Sequence, residues 1–161
     1  MKYIKIKAIK KISISLIEKQ IKEFSKQPLK FEPFEDAPKY NQYSKYKTPN
    51  DFAGQCGNLI EAFGNFLKDK KIFEDDTFFQ SVHLKKDILK HAKKNSKDVC
   101  LNHVILKIGD YYVDLSPMQF YFTKKKYLIL TKSEAKKYYT DFERLISFKT
   151  RKPVKDSKNL Y

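Results

Sequence analysis

Asn102-His103-Val104-Ile105-Leu106-Lys107-Ile108-Gly109-Asp110-Tyr111-Tyr112-Val113-Asp114-Leu115-Ser116 reads as two strands around a tight turn. Gly followed by a polar residue between two β-rich runs is the signature of a two-residue II′ hairpin. That turn sets the register: Ile108 faces Tyr111, Leu106 faces Val113, Val104 faces Leu115 and His103 faces Ser116. Side chains alternate across a strand. One face therefore carries Val104, Leu106, Ile108, Tyr111, Val113 and Leu115 and supplies a core. The other carries His103, Ile105, Lys107, Tyr112, Asp114 and Ser116. His103 and Asp114 become same-face diagonal neighbours, about 7–8 Å apart at the backbone and within side-chain reach. A carboxylate in that position fixes the tautomer of an imidazole and stabilises its protonated form.

Working outward, Lys2 to Ala8 alternates lysine with apolar residues and predicts a half-buried strand. Ser15 with Glu18 forms a capping box ahead of Ile17, Ile21 and Phe24 at helical spacing. Between Pro28 and Asn50 lies a long loop or arm, interrupted by prolines and rich in aromatics. Its Tyr40, Tyr43 and Tyr46 suit base stacking, the lining of a substrate groove, or packing over the domain. Asp51-Phe52-Ala53-Gly54-Gln55-Cys56-Gly57-Asn58 then opens a helix in which Cys56, Leu59, Ile60, Phe63, Phe66 and Leu67 share a face. Strands are expected over Phe78–Leu84, Tyr127–Thr131 and Ile146–Phe148, with a helix from Lys85 to Lys94 burying Ile88, Leu89 and Ala92. Thr131 with Glu134 is a second capping box, predicting a helix that carries Ala135, Tyr138, Phe142 and Leu145. Helices and strands intermixed around an antiparallel hairpin define an α+β domain over residues 1–150, followed by a basic tail, 151–161.

The composition narrows the function classes. The chain has 161 residues, 41% of them hydrophobic and 15% aromatic, which excludes a disordered polymer. No apolar run reaches the ~20 residues that span a bilayer, and the N-terminus lacks the apolar core of a secretory signal. A formal charge of +15 makes acidic proteins and nucleic acid plausible partners. Only Arg144 and Arg151 are arginines, however, and arginine is the residue suited to bidentate phosphate and guanine contacts. Nucleic acid is therefore a secondary expectation, and no membrane partner is expected.

Cys56 supplies a partner for His103 and Asp114. It stands where a glycine-flanked loop becomes a helix, and there the free N–H groups and the helix dipole favour a thiolate. Gly54 and Gly57 leave room for a substrate backbone. Nucleophile, base and orienting carboxylate make a candidate catalytic triad. The structural reading of each residue alone is blander: a small buried cysteine, a strand-end histidine and a turn-proximal aspartate. Cys100, at a strand end without a helix N-terminus, reads as a buried structural residue. His83 and His91 read as surface residues. No pairing at structural-zinc spacing occurs, so neither a metal nor a cofactor is expected.

The pieces Gly54-Gln55-Cys56-Gly57-Asn58, Asn102-His103-Val104 and Val113-Asp114-Leu115-Ser116, with Gln119-Phe120 beyond, resemble the papain-like cysteine protease superfamily, in particular its bacterial transglutaminase-like and papain-fold toxin branches. The resemblance covers Asp51 to Phe120, with Cys, His and Asp in the same chain order. It implies a papain-like fold in which a Cys-bearing helix packs on a twisted antiparallel sheet. It further implies Cys56 as nucleophile, His103 as general base and acid, and Asp114 as the orienting residue. The Cys56 N–H would be one oxyanion donor, with Asn50 or Gln55 as the other, and Gly54 and Asn102 beside the substrate. The expected activity is acyl transfer on a protein amide, by hydrolysis, deamidation or transamidation, in a cytoplasmic protein or a delivered effector. N-acetyltransfer on a similar triad and a basic nucleic-acid-binding module are the alternatives.

Overall fold

The computed structural model describes residues 11–30, 38–96, 99 and 101–154. The strand expected at Lys2–Ala8 lies outside these residues, as does Cys100. The first helix, α1 (Ile14–Ser25), is capped by Ser13, whose hydroxyl accepts the Leu16 N–H at 3.3 Å. Sequence placed this cap at Ser15. Glu18 is not a capping partner here, because its carboxylate takes the Tyr127 hydroxyl at 2.8 Å. The arm then leads through a 3-10 turn at Tyr43–Lys45 to a short helix, α2 (Pro49–Phe52). Next come α3 (Cys56–Asp69), β1 (Thr77–Leu84), α4 (Lys86–Asn95), β2 (Asn102–Ile108) and β3 (Tyr111–Asp114). A 3-10 turn at Pro117–Phe120 precedes β4 (Leu128–Leu130), α5 (Lys132–Ala135), β5 (Tyr139–Thr140) and β6 (Leu145–Ser147).

The six strands make one antiparallel sheet in the order β4-β3-β2-β1-β5, with β6 also pairing with β1. The hairpin has the predicted register: Ile108 faces Tyr111 and Leu106 faces Val113. Gly109 takes a φ of +58° at the first turn position, which a side-chain-free residue adopts at little cost.

Helices α1 and α3 and the arm cover one face of the sheet. Ile17, Ile21, Phe24, Phe63 and Leu67 pack there against Leu106, Ile108, Val113 and Leu115. Tyr43 and Tyr46 of the arm join this core fully buried, so these two pack instead of lining a groove. The Tyr43 hydroxyl lies 2.7 Å from the Leu115 carbonyl and 3.0 Å from that of Lys126, sharing its proton between them. The opposite, more polar face of the hairpin is also covered. Ile105 and Tyr112 meet Val82, Ile88, Phe120, Leu130 and Tyr139 in a second core.

One expected helix ends early for an identifiable reason. The helix after Thr131 has the predicted capping box but ends at Ala135. Tyr139 instead pairs with Leu84 at the sheet edge, and the Lys85 N–H bonds the Tyr138 carbonyl at 3.0 Å, so sheet pairing overrides the helical spacing. Within the stretch expected as a basic tail, the described residues 153 and 154 meet the sheet. Val154 donates its N–H to Leu145 O at 2.9 Å, and Pro153 bridges Ile146. Among the described residues no helix is long and apolar enough to cross a membrane.

Candidate active site

Cys56 is the first residue of α3 and is half-buried. Gln55 caps the helix with its backbone, its carbonyl accepting the Leu59 N–H at 3.0 Å. Gly54, with a φ of +71°, makes the turn that brings the chain into the helix. The first N–H groups of α3 thus surround the sulfur's end of the helix, where they favour negative charge.

His103 and Asp114, each 1% exposed, lie on the sheet face that the register assigned them. His103 Nε2 stands 2.8 Å from Asp114 Oδ2. Phe120 sets its ring edge-on to the imidazole at 4.7 Å between centroids, which excludes water from the pair. The second ring nitrogen, Nδ1, is buried and has no hydrogen-bond partner among the described residues. The His103 ring and the Val104 N–H both act electrostatically on the Cys56 thiol, favouring its thiolate. Cys56, His103 and Asp114 are therefore brought together.

The electrostatics follow from this arrangement. Burial opposes charge on His103, but the Asp114 carboxylate, its hydrogen bond and the Cys56 sulfur outweigh burial and raise the imidazole to about 10. Burial also opposes a Cys56 thiolate, yet the His103 ring and the Val104 N–H lower the thiol below its usual range. Both shifts favour a thiolate–imidazolium pair.

The thiol opens into a cleft of about 110 Å³ whose lining includes Asn50, Gly54, Asn102, Gln119 and Tyr121. Three of the four residues assigned to substrate and oxyanion contacts thus share the cleft with Cys56. Asn50 is held there by α2, whose capping box joins Thr48 and Asp51. Asp51 accepts the Lys47 and Thr48 N–H groups, each at 2.9 Å, and these bonds hold its carboxyl well below the usual carboxylate range against the opposing effect of burial. Gln55 is not in the cleft lining. Its Oε1 accepts the Lys39 N–H and the Tyr46 hydroxyl, both at 3.3 Å, and so ties the arm to the start of α3.

Sequence reasoning missed three contributors. Tyr139 donates its hydroxyl to Asp114 Oδ2, Ser116 donates its N–H to Asp114 Oδ1 at 2.9 Å, and Val104 reaches the sulfur through its backbone. Only the Ser116 contact carried a sequence signal, the short Asp-x-Ser turn. Away from the cleft, the ligand atoms of His83, Asp141 and Glu143 lie within 4.8 Å of one another. His83 Nδ1 is already engaged by Asp141 at 2.9 Å. No protein-family model, curated protein or solved structure matches the chain.

Proposed function

We propose that the protein is a cysteine-dependent acyl-transfer enzyme acting through Cys56, His103 and Asp114. The observation that carries this reading is the buried imidazole bound to a carboxylate through Nε2, with the helix-terminal thiol near enough that each favours the charged form of the other. In the proposed reaction the Cys56 thiolate attacks an amide carbonyl and the oxyanion is met by the Cys56 N–H at the start of α3. His103 gives its proton to the departing amine as the C–N bond breaks, leaving a thioester on Cys56. Water then releases a carboxylic acid, or an amine releases a new amide. The sequence resemblance to papain-like and transglutaminase-like enzymes supports the same roles for the same three residues. A net charge of +15 fits an acidic protein substrate.

The experiment is covalent trapping. The full chain is treated with an activated ester such as p-nitrophenyl acetate near neutral pH, and acylated peptides are read by mass spectrometry. Acylation is expected at Cys56 far ahead of Cys100, and Cys56→Ala is expected to lose it while keeping the native circular dichroism. Equal labelling of the two cysteines, or undiminished turnover of the ester by Cys56→Ala, sinks the reading.

A further inference from the structure

Asp114 is a buried carboxylate with three donors, of which only His103 belongs to the triad. Ser116 N–H occupies Oδ1, whereas Oδ2 takes both the His103 Nε2–H and the Tyr139 hydroxyl. Tyr139 is rigidly placed for this contact. It is 1% exposed, its backbone pairs with Leu84 on β1, and its ring lies 5.9 Å from the His103 ring. Its neighbour Tyr138 stacks on Phe122 at 4.8 Å, anchoring the strand from its other side. The titratable groups facing the pair are Cys56 from α3, Tyr139 from β5 and Tyr43 from the arm. The Tyr43 hydroxyl is committed to the Leu115 and Lys126 carbonyls, which leaves Tyr139 as the tyrosine that touches the carboxylate.

We propose that Tyr139 is a positioning residue of this centre, whose hydroxyl locks the plane of the Asp114 carboxylate and makes His103 a readier proton donor. The inference rests on the triad reading above. A carboxylate held by donors on both oxygens cannot rotate away from the imidazole. The tyrosine O–H also draws negative charge from Oδ2, so the carboxylate grips the His103 proton less tightly. Burial and the Asp114 charge keep the phenol itself protonated far above its ordinary range, so Tyr139 remains a donor and never competes for that proton. Without the hydroxyl, Oδ2 concentrates its charge on His103, and the imidazolium becomes a weaker acid toward a leaving amine.

The test is the pH dependence of Cys56 alkylation by iodoacetamide in the full chain, quantified on the Cys56 peptide so that Cys100 is read apart. Wild type is expected to show a thiolate step on the acid side and an alkaline step where His103 loses its proton. In Tyr139→Phe the alkaline step is expected to move up by about half to one pH unit. Tyr138→Phe, which removes a hydroxyl outside the centre, is expected to leave it in place. A Tyr139→Phe profile that superimposes on wild type overturns the inference even if the variant melts earlier, since lost packing alone moves the melting point and not the alkaline step. Wild-type Cys56 that alkylates no faster than Cys100 overturns the triad reading, and this inference with it. Should Tyr139→Phe fail to fold, proton NMR of wild type decides: a protected Tyr139 hydroxyl proton with a cross-peak to the His103 Nε2 proton is expected, and its absence overturns the assignment.

Discussion

The two faces of the sheet are built from the same strands and differ by one residue of register. The face under α1 and α3 holds mostly apolar side chains and no buried ionisable pair, with Phe24 and Phe63 rings 5.1 Å apart in the same core as Leu106 and Val113. The other face has a comparable apolar cover but encloses a carboxylate, an imidazole and a phenol. Burial of charge is costly unless every partner is present. The first face is therefore held mainly by area and shape, the second also by the hydrogen bonds that converge on Asp114. Apolar packing tolerates local repacking, whereas a hydrogen-bonded set fails when one member goes.

That contrast can be broken directly. Asp114→Ala leaves the His103 ring, the Tyr139 hydroxyl and the Ser116 N–H without their acceptor. It is expected to cost about 3–5 kcal/mol in urea unfolding and to return Cys56 alkylation at neutral pH to the rate of an ordinary thiol. Phe63→Ala empties part of the first core and is expected to cost a similar ~3–5 kcal/mol, while the folded fraction alkylates at the wild-type rate. If Asp114→Ala keeps the fast alkylation, the polar set is scaffolding only and the contrast collapses.

A smaller effect sharpens the comparison. His103 is raised to about 10 in the folded chain, so its protonation contributes stability that is fully present below about pH 6.5, the unfolded value. The contribution declines above that and is gone once pH passes about 10. Subtracting the unfolding profile of His103→Gln from that of wild type should isolate this slope. A difference that stays flat from pH 6 to 10.5 would show that the ring is not charged in the folded state. Phe63→Ala should lower the curve uniformly and leave its slope unchanged.

The hairpin was legible in the sequence because its two signals agree: a Gly-Asp turn and strict alternation on both sides of it. Register then placed His103 and Asp114 on one face without any knowledge of the rest. Cys56 was legible from the glycines that flank it, Gly54 ahead of the helix and Gly57 in its first turn. Tyr139 was not, because Ala135, Tyr138, Phe142 and Leu145 have helical spacing and follow a genuine capping box. What ends that helix is pairing with Leu84, a contact 55 positions distant in sequence that no local pattern encodes. The cap of α1 shows the same weakness on a smaller scale. Ser13 and Ser15 both offer a hydroxyl, and the Tyr127 contact that occupies Glu18 lies 109 residues along the chain.

The dependence of Cys56 on His103 and Val104 has a consequence for the newly made chain. Both partners lie almost fifty residues downstream of the thiol, and the histidine owes its own charge to a carboxylate further on still. An extended or half-made chain therefore carries a thiol of unremarkable reactivity, near pKa ~8.5. The lowered thiol is thus a property of the closed sheet, acquired only when folding brings His103 and Val104 to the start of α3.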